Sequence, residues 1–168
     1  KKLSLNPSEE DEFIGEDINL RGYLKEIIIS FKETSKKEFI LNIDQDSNSK
    51  KITKSIEIIY GLRNFIGNAN KYSKKKIYIS LKSDNEFSEI IIEDDGEGYP
   101  NDIISKIGEP YLKTVSQKNK GMSGLGLGIF IGKTLLEKNF ASINCRNSIT
   151  RRGAEVRIKW KNKDLFKI

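Results

Sequence analysis

Three polar residues recur at helical spacing in a segment whose other side is apolar. Asn64, Asn68 and Lys71 stand at positions i, i+4 and i+7, which places them on one helix face. Asparagine is unfavourable inside a helix, so two on one face need a reason. Amide oxygens suit Mg²⁺ and a lysine ammonium suits phosphate. The pattern fits a metal and phosphate site, but by itself it favours an ordinary solvated face.

An acidic turn follows an apolar run at Asp94-Asp95-Gly96-Glu97-Gly98. A carboxylate held at a strand end can accept a hydrogen bond from an amino group, and glycines let the backbone approach a flat ligand. Asp94, Gly96 and Gly98 are therefore candidate ligand-binding residues. The alternative is an acidic surface turn, because the string Asp-x-Gly-x-Gly alone is a weak signal.

A glycine run, Gly124-Leu125-Gly126-Leu127-Gly128, opens a predicted helix. Backbone N–H groups at the positive end of a helix make a phosphate cradle, and a close helix contact is the alternative. A dinucleotide-binding fingerprint is disfavoured because the spacing differs and no strand immediately precedes the run. No glycine run ends in Gly-Lys-Ser/Thr, as a Walker loop would.

Apolar periodicity predicts the elements that position these residues. Helices are predicted at 18–33 with Asp17 as N-cap, at 53–72 with Ile52 in its apolar stripe, at 101–106 and at 125–138. Strands are predicted at 39–43, at 77–81, up to 92, at 141–147 and at 153–160.

This order favours an α+β fold, a two-layer α/β sandwich in which a mixed sheet of about five strands carries three main helices on one face. Residues 112–123 are polar and predict a mobile loop.

The composition indicates one domain of a protein that acts in a reducing compartment. The chain has 168 residues, a net charge of +6 and no histidine. Its lysines are dispersed, which favours a polyphosphate ligand or an acidic partner over nucleic acid. Cys145 is the single cysteine and reads as a strand residue, with a redox role as the lesser alternative. Met122 is the only methionine, so we expect a piece of a longer protein.

Together and in this order, the motifs at 64–73, 94–98 and 124–128 resemble those of the gyrase, Hsp90, histidine kinase and MutL superfamily of ATP-binding domains. Residues 68–73 and 124–133 look like the histidine kinase branch. The resemblance covers about residues 17–160.

Further segments resemble the RegB/PrrB redox-responsive kinases: Arg63-Asn64, residues 107–111, residues 128–137, and Gly153-Ala154 with Trp160.

The resemblance implies a Bergerat-type ATP-binding fold with ATP between two helices. The catalytic domain would span 17–168 with a lid at about 112–123. Residues 1–16 would be a linker or remnant of a preceding dimerisation domain.

By resemblance, Asn68 would bind Mg²⁺, with Asn64 as a second ligand or polar orienter. Lys71 would contact phosphate, so Asn64 and Lys71 are the implied catalytic residues. Tyr72 would pack beside the adenine, and Asp94 would accept from its amino group.

The remaining implied ATP contacts are backbone or packing contacts. Gly96 and Gly98 would give the base room, and Tyr111 would anchor the lid. The phosphates would meet the glycine run, formed by Gly124, Leu125, Gly126, Leu127 and Gly128.

The residue at position 64 distinguishes branches of the superfamily. The resembling ATPases and serine kinases carry a glutamate there, which activates water or a hydroxyl as a general base. Asn64 cannot be a base, whereas a neutral imidazole already has a lone pair. Residue 64 therefore favours phosphoryl transfer to histidine, and the missing histidine would lie on the dimerisation domain.

The implied function is a two-component sensor histidine kinase that uses ATP and Mg²⁺ and passes phosphate to a response regulator. We expect this chain to be a cytoplasmic monomer that touches neither nucleic acid nor membrane, from a homodimeric protein in the bacterial inner membrane. It should bind ATP without phosphorylating itself. The alternatives are an ATPase or serine kinase domain of the same superfamily, or a degenerate nucleotide-binding interaction domain.

Overall fold

The computed structural model describes residues 17–44, 52–107, 125–165 and 167–168. The predicted linker (1–16) and lid (112–123) lie outside these residues. The strands are β1 (Asp17–Ile18), β2 (Glu38–Ile43), β3 (Ile52–Thr53), β4 (Lys76–Ser83), β5 (Phe87–Asp94), β6 (Ser142–Asn147) and β7 (Ala154–Lys161). The helices are α1 (Leu20–Lys32), α2 (Ile56–Tyr72), α3 (Asn101–Ile104), α4 (Leu125–Lys138) and α5 (Asn162–Leu165).

The main sheet has the strand order β2-β4-β5-β7-β6 and is mixed. β2 runs parallel to β4, and the other neighbouring pairs are antiparallel. The register aligns Ile79 with Ile92 and Ile92 with Val156, so these buried side chains share one face of the sheet. The predicted mixed sheet of about five strands is confirmed.

Helices α1, α2 and α4 cover this apolar face, and their buried side chains join those of the sheet in one cluster. Val156, Ile158 and Trp160 alternate along β7 and are all buried, so they form its inward face. Trp160 is fully buried and donates its indole N–H to the carbonyl of Asn139 at 3.1 Å. The α+β, two-layer architecture with three main helices is therefore confirmed.

The start of α1 differs from the prediction. Its N-cap is Asn19, not Asp17, and the Asn19 side chain accepts from the Gly22 N–H at 2.8 Å. Asp17 lies two residues earlier in β1, which pairs with β3. Both residue types can cap a helix, so the sequence alone did not decide between them.

The start of α2 was also predicted too early. Ser55 is the N-cap, with its side chain near the Ile58 N–H, and the helix begins at Ile56. Ile52 continues the apolar spacing of the helix but lies in β3, opposite Ile18.

A short final helix, α5, was not predicted. Its first residue, Asn162, is buried, accepts from Ser88 Oγ at 2.6 Å and donates to the Asp84 carbonyl at 2.8 Å. These bonds attach the helix to the β4–β5 turn, at the end of the sheet opposite Asp94. Of the helices in the described ranges, none combines the length and apolar character needed to cross a membrane.

Candidate functional site

Asp94 ends β5 with its side chain directed into the domain, where only 3% of the residue is exposed. Its Oδ1 accepts hydrogen bonds from the backbone N–H groups of Gly96 at 2.8 Å and Ala154 at 3.2 Å. Its Oδ2 accepts none from the residues that the structure describes. One carboxylate oxygen is thus fixed by the backbone, and the other remains available to a ligand.

Burial raises the pKa of the Asp94 carboxyl above its ordinary value. The N–H groups of Gly96 and Ala154 oppose this shift, the nearby charge of Asp95 adds to it, and the ammonium of Lys37 reduces it. A desolvated carboxylate with a free oxygen is a strong acceptor for a neutral N–H donor, such as the amino group of a base.

Two glycines beside Asp94 stand where a side chain would collide with backbone. A Cβ at Gly96 would lie 2.2 Å from the carbonyl oxygen of Tyr72, at the end of α2. A Cβ at Gly153 would lie 2.1 Å from the carbonyl oxygen of Asp94 and 2.2 Å from its Oδ1. Gly96 was predicted as a site residue, but Gly153 was noted only as part of a family resemblance. Glycine at the start of a strand was the available signal of a close backbone approach.

Gly98, predicted as a ligand-binding residue, has a positive φ of 78°, a conformation that favours glycine. A Cβ there would lie 2.6 Å from Asn147 Oδ1. The Asn147 amide holds the next residue at both backbone groups, accepting from Tyr99 N at 2.6 Å and donating to Tyr99 O at 3.0 Å. Asn147 is a supporting residue that sequence reasoning missed.

Asp95 joins the end of β5 to the segment after α2. Its carboxylate accepts from the backbone N–H groups of Lys74, Lys75 and Lys76 at 2.8 to 3.2 Å. Burial raises its pKa, but these N–H groups outweigh burial and hold the pKa below its ordinary value. The carboxylate therefore stays ionised at neutral pH and fixes the carboxyl end of α2 beside Asp94.

Asn68 on α2 lies against α4. A Cβ at Gly128 would be 3.2 Å from Asn68 Oδ1 and 3.3 Å from Nδ2, so the glycine leaves room for the amide. Asn68 Nδ2 is buried and has no hydrogen-bond partner among the described residues. An unpaired buried N–H donor is costly, so Asn68 Nδ2 is a candidate donor to a bound ligand.

Asn64 and Lys71 occupy more open positions on α2. Asn64 Nδ2 donates to the Tyr60 carbonyl at 2.8 Å, within its own helix. Its Oδ1 accepts no hydrogen bond from a described residue. Lys71 is exposed, with its ammonium 5.3 Å from the centre of the Tyr72 ring.

The amide oxygens of Asn64 and Asn68 are the described groups that fit a predicted Mg²⁺. No group of three or more His, Cys, Asp or Glu residues that could hold a metal occurs in the part of the chain that the structure describes. A magnesium ion here would therefore combine amide oxygens with phosphate oxygens and water.

The glycine run is only partly described. α4 begins at Leu125, Gly126 is buried, and the Leu127 side chain is 57% exposed. The first N–H groups of a helix lack partners within it, so this end can receive an anion. Tyr111 and Gly124 lie outside the described residues.

Comparison with known proteins gives a family match over residues 53–164, to the model described as histidine kinase-, DNA gyrase B- and HSP90-like ATPase. Over 108 residues the chain is 37% identical to the sensor histidine kinase RegB of Cereibacter sphaeroides, covering 61% of this chain and 23% of that protein. Over 90 residues it is 31% identical to the sensor protein SrrB of Staphylococcus aureus, covering 52% and 15%. The chain thus matches less than a quarter of the length of these relatives.

Solved structures share the fold. The catalytic domain of histidine kinase ThkA superposes with a TM-score of 0.69 at 18% identity, covering 88% of this chain and 96% of that chain. The mycobacterial sensor histidine kinase MprB gives 0.68 at 18% identity, covering 88% and 97%.

Proposed function

The chain belongs to the histidine kinase-, DNA gyrase B- and HSP90-like ATPase family, and from this premise we propose that residues 17–168 form the ATP-binding catalytic domain of a sensor histidine kinase. The domain would transfer the γ-phosphate of ATP to a histidine on a separate dimerisation domain. The observation that carries the proposal is the Asp94 carboxylate, which is buried, fixed at one oxygen and open at the other.

Asp94 would recognise the adenine. The amino group of the base would donate to Oδ2, while Gly96 and Gly153 keep side chains away from the carboxylate. Oδ1 is already hydrogen-bonded, so the ligand would meet Oδ2, which as a carboxylate oxygen can only accept. The site would therefore favour adenine, with its amino group, over a base with a carbonyl at that position.

The phosphates would lie where α2 approaches the start of α4. Lys71 and the N–H groups of Gly124, Gly126 and Gly128 would neutralise and orient them. Asn68, with Asn64, would hold a Mg²⁺ through their amide oxygens. The unpaired Asn68 Nδ2 is a hydrogen-bond donor, which supports a phosphate oxygen beside it. When bound, the ion would supply charge neutralisation at the phosphate oxygens.

Histidine is the acceptor that these residues favour. Asn64 has no proton-accepting group of suitable basicity, and its amide nitrogen is engaged with the Tyr60 carbonyl, so activation of water lacks a base at this position. The 168 residues contain no histidine, so the acceptor would be supplied by another domain.

The proposal extends to the partners and location of the full-length protein. The partners would be the protein's own dimerisation domain and a response regulator, in a homodimer anchored in the bacterial inner membrane. Residues 112–123 would form the lid and Tyr111 its anchor. The RegB-like segments support a redox-responsive kinase, but burial raises the pKa of Cys145 to about 11, so this thiol is a poor candidate for the sensor.

Calorimetric titration with a non-hydrolysable ATP analogue, with and without Mg²⁺, tests the proposal. Wild type should bind one equivalent, and Asp94→Asn should bind at least about tenfold more weakly. In the variant the amide oxygen can replace Oδ1 at the Gly96 and Ala154 N–H groups, which turns a donor toward the adenine amino group. The fold should therefore survive while binding is lost.

Transfer of labelled phosphate to a separately supplied dimerisation domain then tests the reaction. Saturable binding without transfer would support a degenerate domain, and turnover without the added domain would support an ATPase. Absence of analogue binding at millimolar concentration would overturn the proposal.

A further inference from the structure

A short loop between α1 and β2, residues 33–37, contacts the carboxyl end of the helix that carries the nucleotide-site residues. Ser35 Oγ donates to Asn70 Oδ1 at 2.6 Å and accepts from the Lys37 N–H at 3.0 Å. The loop is thereby ordered against α2, about half a turn beyond Asn68.

The Lys37 side chain caps this helix end. Its ammonium donates to the Ser73 carbonyl and, at 3.3 Å, to Ser73 Oγ. Ser73 is buried and is the C-cap of α2. A cation suits this position because the last carbonyls of a helix lack partners and carry partial negative charge.

The capped helix end is continuous with the Asp94 site. The Tyr72 carbonyl lies against Gly96, and Asp95 binds the three N–H groups that follow Ser73. A shift of this helix end would move both Tyr72 and the turn that carries Gly96.

We infer that Lys37 is a positioning residue for the nucleotide site, which holds the carboxyl end of α2 against the Asp94 turn and places a compensating positive charge behind the Asp94 carboxylate. The inference deepens the proposed function and rests on it for the identity of the ligand. The motifs around Asn68, Asp94 and Gly126 do not include Lys37, which lies outside all three.

The electrostatic part of the inference can be measured without any nucleotide. The charged groups that act on Asp94 are Asp95 on the same turn and Lys37 from the α1–β2 loop. Asp94 in turn raises the pKa of Tyr99, which lies beyond Gly98. Asp95 raises the pKa of Asp94 and Lys37 lowers it. Loss of the Lys37 charge should therefore move the Asp94 titration to higher pH.

The experiment compares wild type with Lys37→Met, Lys37→Arg and Lys36→Met. Lys36 is the adjacent, exposed lysine, so its variant removes the same charge without the contacts to Ser73. NMR of the Asp94 carboxyl carbon follows its titration, and calorimetry with the ATP analogue follows affinity across pH.

Lys37→Met should bind the analogue about tenfold more weakly, as expected for the loss of charged hydrogen bonds. Its binding should also fail at a higher pH than in wild type, together with the Asp94 titration. Lys37→Arg should retain both properties, and Lys36→Met should match wild type.

An Asp94 titration in Lys37→Met that coincides with wild type overturns the inference, even where the variant is less stable or binds weakly. Equal shifts in Lys36→Met and Lys37→Met also overturn it, because the effect is then not specific to the capping lysine. If wild type binds no nucleotide but the Asp94 titration still shifts in Lys37→Met, the result supports the role of Lys37 and removes the proposed function instead.

Discussion

At the scale of single residues, the position of the Asp94 carboxylate depends on its hydrogen bonds and also on the absence of a side chain at Gly153. The backbone of β7 reaches Oδ1 only because position 153 has no side chain. Burial, two N–H donors and this close approach together leave Oδ2 as the free acceptor. The geometry at Asp94 is therefore set partly by Gly153, whose carbonyl accepts from the Ser148 N–H at 2.8 Å and which gives the carboxylate no side chain to meet.

Gly153→Ala should abolish nucleotide binding and destabilise the domain by about 1–3 kcal/mol, because the new methyl group must displace the Asp94 backbone. Gly67→Ala is the matched control, since its Cβ would lie 3.5 Å from the Phe31 ring in ordinary contact. That change should be neutral or stabilise the helix by up to about 1 kcal/mol. Chemical denaturation measures both, and similar losses in the two variants would contradict this account.

At the scale of elements, α2 and α4, the helices that carry much of the proposed nucleotide site, pack antiparallel through glycines. Gly61 lies against Leu136, Gly132 against Phe65 and Gly128 against Asn68. The apolar pairs set the distance between the helices, and the last pair places the buried Asn68 amide nitrogen at the start of α4, where we propose that the phosphates bind. Substitutions at the apolar contacts should therefore shift the position of the Asn68 side chain.

A double-mutant cycle tests this contact. A Cβ on Gly61 would lie 2.6 Å from Leu136 Cγ, so Gly61→Ala should cost about 1–3 kcal/mol by overpacking. Leu136→Ala should cost about 2–5 kcal/mol by leaving a cavity. The double variant should be more stable than the sum of the two losses by at least about 1 kcal/mol, because the added methyl group fills part of that cavity. Additive losses in thermal unfolding would show that the side chains do not share space.

Local periodicity predicted the elements well where each makes a continuous pattern. The ranges predicted for α2, α4 and β7 lie within three residues of the observed ones. Ile52 was assigned wrongly because its spacing from Ile56 also fits a helix, while its true partner, Ile18, lies far away in the sequence. A two-residue strand has no period of its own, so only tertiary contacts could reveal it.

The residues of the candidate site were likewise predicted where they lie in one local motif and missed where they are distant in the sequence. Asp94, Gly96 and Gly98 were predicted because one short motif holds them. The Ala154 N–H reaches Asp94 across 60 residues, and Asn147 reaches Tyr99 across 48. These contacts form because β7 lies between β5 and β6 in the sheet. That strand order cannot be read from any local sequence pattern.

At the scale of the whole molecule, the face of the sheet away from the helices carries a charged group. Glu155 is buried, and its Oε2 accepts from Arg146 Nε and from Arg157 Nε at 3.0 Å. Burial raises the pKa of Glu155, but the two arginines outweigh burial and hold it below its ordinary value. Its stabilisation is therefore present above the unfolded-state pKa and is lost as pH falls through the lower folded-state pKa.

Glu155→Gln should lower the free energy of unfolding by about 1–3 kcal/mol at pH 7. The difference from wild type should shrink as pH falls below the ordinary glutamate range. Glu89→Gln is the control on the same face, because Glu89 lies 3.8 Å from Arg157 and is more exposed. It should have a smaller effect. The pKa of Asp94 is raised, so its contribution to stability changes with pH in the opposite direction. If the difference in unfolding free energy between wild type and Glu155→Gln grew as pH falls, the lowered pKa of Glu155 would be contradicted.

The strand order also has a consequence for how the protein is made. The Asp94 carboxylate receives its second hydrogen bond from β7, the last of the described strands. During synthesis, α2, β4 and β5 emerge long before Ala154, so the proposed adenine pocket is incomplete in the nascent chain until β7 is available. ATP bound there would therefore add to the stability of a domain that has already closed its sheet, and would not template early folding.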